Sequence, residues 1–181
     1  QQIELRDNGC GIAASQLKLA LTQHATSKIN HLDDLHAIGS LGFRGEALAS
    51  MAAVARVNLV SCPADAEHAS RVWAEGSADI QGPEAAAREQ GTTIHINDLF
   101  FNTPARRKFM KKASTEFQHC KAVVENIALH CFNVAFVLHH NGKQILSWPE
   151  AITEEQREQR VKDVLGDEFI QHACTLNYDT P

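Results

Sequence analysis

The sequence predicts an α+β fold in which a mixed, largely antiparallel sheet carries helices layered on one face. Three observations lead there. Short stretches with period-two alternation, Ile3/Leu5, Val57/Leu59/Ser61, Val72-Trp73-Ala74 and Thr92/Ile94/Ile96, occur in an order with helical patterns that gives layers around one core. With 181 residues, 44% of them hydrophobic, the chain can bury the core of one domain and part of a second. Three glycine-bearing stretches, Asp7-Asn8-Gly9-Cys10-Gly11-Ile12, Leu41-Gly42-Phe43-Arg44-Gly45-Glu46-Ala47-Leu48 and Gly91-Thr92-Thr93, each stand against a predicted strand or helix end.

The elements follow in order. Ile3 and Leu5 alternate with Glu4 and Arg6, so the chain opens on a half-buried strand that runs into the Asp7 turn. Leu17, Ala20, Leu21 and His24 recur at helical spacing and predict an amphipathic helix of about three turns, ending near Ala25. Asp33-Asp34-Leu35 opens a short helix, Gly39, Gly42 and Gly45 punctuate a flexible connector, and Ala47 to Ala55 reads as a buried helix. The strands at Val57, Val72 and Thr92 form an antiparallel meander, with Gly82-Pro83 and a polar, Ala-rich segment between the last two.

Thr103-Pro104 is a helix start, Thr as N-cap and Pro at the first helical position. Phe117, Val124, Ile127, Ala128 and Cys131 mark a longer helix, and Val134 to His139, Asn141-Gly142 and Lys143 to Trp148 form a hairpin that Pro149 ends. Thr153-Glu154-Glu155-Gln156 is a capping box for a helix reaching Gly166, followed by a strand from Phe169 to Leu176. The divide falls between a first domain, 1–152, and the opening of a second, 153–181.

Composition narrows the class. No long apolar run and no charged n-region with an h-region is present, so the expectation is a cytoplasmic protein. Five cysteines without a C-x-x-C pair read as reduced thiols, buried as small hydrophobes. A net charge of −5 excludes a domain coated with positive charge, yet Arg106, Arg107, Lys108, Lys111 and Lys112 place +5 within residues 106–112 and leave −10 elsewhere. That basic run is either a solvated helix face or a contact for DNA or an acidic partner. His119-Cys120 and His130-Cys131 do not have the spacing of zinc pairs.

The glycine stretches carry the chemistry. Glycine lets bare backbone N–H groups approach a phosphate, and a helix N-terminus adds unpaired N–H groups and a favourable dipole. Gly42 to Leu48 offers that ahead of a helix, with Arg44 free to fork onto a phosphate or to pair with Glu46. Lys28, after Thr26-Ser27, is a second cation able to close on phosphates. Asp7 at a strand end can accept a hydrogen bond from a purine amine; alone, Asp-Asn-Gly is an Asx turn. Thr92 or Thr93 can offer a hydroxyl to the base or a bound water, or serve only as strand formers.

Together with His24-Ala25-Thr26-Ser27-Lys28-Ile29 and Leu99-Phe100-Phe101-Asn102-Thr103-Pro104-Ala105-Arg106-Arg107-Lys108-Phe109, these stretches closely resemble the N-terminal ATPase region of the MutL DNA mismatch repair family. The resemblance covers nearly the whole chain. Gly-Phe-Arg-Gly-Glu-Ala-Leu and Asn-Thr-Pro-Ala-Arg-Arg-Lys-Phe are distinctive of it, whereas Asp-x-Gly-x-Gly is shared with gyrase, the ninety-kilodalton chaperone and sensor histidine kinases.

The resemblance implies a two-layer α/β sandwich of the GHKL ATPase type, then the start of a transducer domain near residue 154. It implies ATP and Mg²⁺ as cofactors. Asp7 would bind the adenine amino group, with Gly9 and Gly11 shaping the pocket and Thr92, or alternatively Thr93, supporting the base. Thr26, Ser27 and Lys28 would belong to a lid that orders on ATP, and Gly42, Phe43, Arg44, Gly45, Glu46, Ala47 and Leu48 would enclose the phosphates. The family's general-base Glu and Mg²⁺-ligating Asn are expected on a helix upstream of Gln1, so this segment alone is expected not to turn over ATP. The implied parent is a mismatch repair protein: an ATP-driven homodimer that engages mismatch-containing DNA, works with a MutS-type recognition protein and a downstream nuclease or helicase, and is nucleoid-associated in a bacterium. Another GHKL ATPase, such as a type II topoisomerase subunit or histidine kinase, and a non-catalytic interaction module are the alternatives.

Overall fold

In a computed structural model of the chain, residues 1–25, 45–76 and 78–174 are described. The expected helix at Asp33, the Gly39–Gly42 connector, and the site positions Thr26, Ser27, Lys28, Gly42, Phe43 and Arg44 lie outside them. The chain divides into two compact units, one of Gln1–Phe109 and one from Met110 onward.

The first unit is built on strands β1 (Gln2–Arg6), β2 (Arg56–Cys62), β3 (Ala69–Glu75), β4 (Gln81–Ala86) and β5 (Gly91–Asn97), in the spatial order β1-β5-β2-β3-β4 with every pairing antiparallel. The meander is β2, β3 and β4, and the Thr92 strand is not its third member as the sequence suggests, because the segment between Val72 and Thr92 is itself a strand. β5 then returns past β2 and inserts beside β1, so Ile96 lies opposite both Ile3 and Val57, and Ile94 opposite both Leu5 and Leu59. The polar segment read as a connector is β4, an edge strand whose register with β3 is interrupted between Arg71 and Trp73, and Pro83 is tolerated at such an edge irregularity.

Period-two alternation sends Val57, Leu59, Val72, Ala74 and Ile96 to one face, where helices α1 (Ala14–Ala20) and α2 (Ala47–Ala52) cover them. α1 lies chiefly over β3 and β4 and delivers Leu17 and Leu21 to the core, while α2 lies on β2. Full burial of each such Val or Leu contributes about 1.5–3 kcal/mol. Both helices are shorter than their spacing predicts: α1 ends at Ala20, before a positive φ of 61° at His24, and α2 ends at Ala52, before a turn into β2. Ile3 and Leu5 share the core face but lie on the edge strand, beyond α1, and remain 45% and 55% exposed instead of half-buried within a core.

Pro104 begins helix α3 (Pro104–Lys108) as expected, yet the Thr103 hydroxyl makes no capping bond and its Oγ1 is buried without a partner. The basic residues Arg106, Arg107 and Lys108 occupy the last turn of α3, where the helix dipole favours cations, and all three are exposed.

The second unit contains helix α4 (Ala113–His130), the hairpin β6 (Phe136–His140) and β7 (Lys143–Trp148), and helices α5 (Glu154–Leu165) and α6 (Asp167–His172). Asn141 and Gly142, at φ 51° and 76°, supply the two positive-φ positions of a type I′ turn. The capping box is formed: Thr153 Oγ1 accepts from Gln156 N (3.4 Å) and Gln156 Oε1 accepts from Thr153 N (3.0 Å). The strand expected from Phe169 is helix α6 instead. Gly166, at φ 91°, breaks α5, Asp167 and Glu168 then sit favourably in a new first turn, and Lys162 Nζ pairs with Asp167 across the break at 2.8 Å. That hydrogen bond holds the Lys162 ammonium above its ordinary pKa.

Arg160 is the organising residue of this unit, at 3% exposure. Its guanidinium donates to the carbonyls of Ala128, Cys131, Val134 and Pro149, so a residue of α5 ties the end of α4 to both ends of the hairpin. Burial lowers its pKa, and nearby Asp163 counteracts this; arginine stays charged regardless. Cys62 is buried and Cys131 half-buried, but Cys10, Cys120 and Cys174 are exposed, against the expectation of buried thiols. Among the described residues no helix is long and apolar enough to cross a membrane.

Replacing Arg160 by Met keeps the stem but strands four carbonyls. Arg160→Met is therefore expected to lower stability by roughly 2–4 kcal/mol, read as a lower urea midpoint of the protein with its slope retained.

Candidate functional site

Where β1 ends and β5 begins, the backbone and one carboxylate interlock. Asp7 N donates to Thr92 O (2.9 Å), and Thr92 N donates back to Asp7 Oδ1 (3.1 Å), extending the β1–β5 ladder by a side chain. Gly9 N donates to the same Oδ1 at 2.9 Å, which is the Asx turn read from Asp-Asn-Gly. Asp7 Oδ2 has no hydrogen-bond partner among the described residues. One oxygen is structural and the other is available to a donor.

The close approach depends on glycine. At Gly91, φ is +115° and a Cβ would lie 2.2 Å from Asp7 O; at Gly11, φ is +75° and a Cβ would lie 2.3 Å from Cys62 O. Any side chain at either position would push the Asp7–Gly11 turn away from the strands that hold it.

A buried hydroxyl pair lies under this turn. Ser61, fully buried at the end of β2, accepts from Ile12 N (2.8 Å) and contacts Gly91 O (3.0 Å) and Thr92 Oγ1 (2.9 Å). A carbonyl only accepts, so all three contacts are hydrogen bonds only if Ser61 donates to Gly91 O and Thr92 donates to Ser61. The Thr92 hydroxyl proton is then committed, and its lone pairs are left to accept from a ligand or water. Thr93 points to the opposite face, where its Oγ1 accepts from Arg88 Nε at 2.8 Å, so of the two threonines Thr92 is the one on the side of Ser61.

Gly45, Glu46, Ala47 and Leu48 open α2. The Gly45 backbone packs against Ala25, and Glu46 Oε1 pairs with His24 Nδ1 at 3.2 Å, so the segment after α1 and the start of α2 are tied together. Ser61, Arg88 and Gln90, whose Nε2 donates to Gly9 O at 3.1 Å, are site-supporting residues that sequence reading did not single out. Ser61 had a signal, a hydroxyl in phase with Val57 and Leu59 on the buried face; Arg88 and Gln90 lie in a stretch with no period. A separate groove of about 250 Å³, lined by residues including Arg56, Asn58, Arg71 and Trp73, opens on the other face of the sheet and involves none of the expected site positions.

No family model matches the chain. The DNA mismatch repair protein MutL of Coxiella burnetii is 48% identical over 178 residues, 98% of this chain and 31% of that protein. MutL of Azotobacter vinelandii is 49% identical over 177 residues, covering 98% and 28%. Among solved structures, the Aquifex aeolicus MutL ATPase domain complexed with ADP superposes with a TM-score of 0.68 at 27% identity, over 91% of this chain and 57% of that one. The chain spans less than a third of the length of these curated relatives. Fold and likeness define a GHKL-type ATPase sandwich. Within that class, the chain belongs to the MutL family of DNA mismatch repair proteins.

The support under the turn is testable apart from any ligand. Ser61→Ala is expected to cost about 1–3 kcal/mol, because Ile12 N and Gly91 O lose their buried partner. Gly91→Ala is expected to cost more than Ser61→Ala, and denaturant titration of both variants gives the order.

Proposed function

We propose that the full protein is an ATP-switched dimeric clamp and matchmaker in DNA mismatch repair, and that the Asp7–Thr92 corner holds the adenine ring. The observation that carries the base assignment is a pair of acceptors with no donor among the described residues, Asp7 Oδ2 and the Thr92 hydroxyl lone pairs. An exocyclic amino group has two N–H donors to offer them; a guanine O6 in the same place would set oxygen against oxygen. The ADP named with the Aquifex aeolicus neighbour supports the same assignment.

Gly9 and Gly11 shape the turn that borders the ring. By family likeness, Gly42, Phe43, Arg44, Gly45, Glu46, Ala47 and Leu48 enclose the phosphates, and Thr26, Ser27 and Lys28 form a lid over them. Mg²⁺ would neutralise phosphate charge. Its Asn ligand and the general-base Glu are residues that the family carries ahead of the Asp7 strand. The 181 residues alone are therefore expected to show no steady-state ATP hydrolysis; turnover that Asp7→Asn abolishes would overturn this. A transducer domain begins near residue 153, after the hairpin. The basic run ending in Lys112 adds local positive charge for mismatch-containing DNA, and a MutS-type protein and a nuclease or helicase are the partners before and after the clamp.

Asp7→Asn in the full protein converts an ionised acceptor to a neutral amide. A hydrogen bond to a charged group contributes roughly 1.5–3 kcal/mol, so ATP affinity is expected to fall about 10- to 150-fold by titration calorimetry. Arg44→Ala is expected to weaken dimerisation on a non-hydrolysable ATP analogue in sedimentation; an unchanged dimer would remove Arg44 from the phosphate site.

A further inference from the structure

We infer that Arg88 is a positioning residue for base recognition, a guanidinium that sets the direction of the Asp7 carboxylate and so the preference for a 6-amino purine. The inference rests on the adenine reading above and adds to it a residue outside every glycine motif.

Arg88 lies between β4 and β5, half-buried, and turns Nε and Nη2 of its fork onto the start of β5 and the end of β1. Its Nη2 donates to Asp7 O at 2.6 Å and to Thr92 O at 2.8 Å. Nε donates to Thr93 Oγ1 at 2.8 Å and Nη1 to Glu89 O at 2.9 Å. All four acceptors are neutral, and no carboxylate pairs with Arg88 among the described residues. A surface arginine whose purpose was an ion pair would not be arranged in this way.

Thr92 O accepts both from Asp7 N and from Arg88 Nη2, so both of its lone pairs are used. The same nitrogen of Arg88 bridges Asp7 O and Thr92 O. It ties together the two residues that exchange the Asp7 N–H···O and Thr92 N–H···Oδ1 hydrogen bonds, and so holds the register that brings the Thr92 N–H to Asp7 Oδ1. With Oδ1 pinned, rotation about χ2 is lost and Oδ2 keeps one direction. A planar, multiply donating guanidinium can hold three peptide groups and a hydroxyl at once; an ammonium cannot reproduce its geometry. Preorganisation of an acceptor in this way favours the ligand that uses it and does nothing for one that does not.

The test compares ATP with purine riboside triphosphate, which lacks only the 6-amino group, as competitors of a fluorescent ATP analogue on the full-length protein. Arg88→Met is expected to weaken ATP about 10-fold while leaving purine riboside triphosphate within about 2-fold, so the affinity ratio collapses toward one. Thr93→Val, which removes the acceptor of Nε and preserves shape, is expected to give an intermediate ratio and serves if Arg88→Met does not fold. Loss of both ligands in parallel, with the ratio kept, means a purely structural arginine and overturns the proposal. Asp7→Asn separates the two levels: if it also keeps the wild-type ratio, the adenine reading falls and this inference with it. If Asp7→Asn abolishes the ratio while folded Arg88→Met or Thr93→Val retains it, the Arg88 role alone is refuted.

Discussion

The reciprocal hydrogen bonds between Asp7 and Thr92 are the interaction on which the rest of the site depends. They join the end of an edge strand to the start of a central one, and they exist only because β5 returns past β3 and β2 to lie between β1 and β2. The return brings residues more than 80 positions apart in sequence into register. Long-range pairing of this kind carries a loop-closure cost that burial of Val57, Leu59, Val72 and Ile96 helps to offset.

The packing of the first unit and its chemistry use opposite ends of the same alternation. In β2, Val57 and Leu59 fill the core, and Ser61, next in phase, replaces a third aliphatic side chain with a hydroxyl. A buried hydroxyl is costly unless satisfied, and Ser61 is satisfied by the turn that follows Asp7 and by the start of β5. Core, turn and candidate base pocket are thereby one continuous network. The second unit applies the same principle differently: Arg160 binds four carbonyls from three segments, so a charged side chain does the closing that an apolar one does elsewhere.

Much of this was legible in the residues. The Asn141-Gly142 turn, the Thr153–Gln156 box and the strands at Val57, Val72 and Thr92 carry local signals with one physical meaning each, and the structure has all of them. The glycine stretches were legible as close approaches, and Gly11 and Gly91 are such. Three readings went astray where a local signal was weak or competed with context. β4 has Gly82 and Pro83 in its interior and is recognisable as a strand only through β3 beside it. Phe169 to His172 is apolar enough for a strand, but the acids behind Gly166 favour a helix start. Thr103 has the composition of a cap without the geometry: its backbone, at φ −130° and ψ 70°, is outside the usual extended N-cap conformation and its hydroxyl makes no capping bond. Arg88 was not legible, because its stretch has no period and its link to the Asp7 turn is a backbone carbonyl 81 positions away.

β1 has a property of a different kind. Among the described residues nothing pairs with its outer edge, and Ile3 and Leu5 are exposed on the face where the helices lie. An unpaired edge offers a row of backbone donors and acceptors, and an apolar face beside it offers a surface for stacking; together they are the two ingredients of strand-to-strand aggregation. Handling these 181 residues by themselves is thus a problem of colloidal stability before it is one of enzymology. The remedy lies at Ile3 and Leu5 and at the open edge, with charge or cover supplied there, and leaves the Asp7 corner two residues further on as it is.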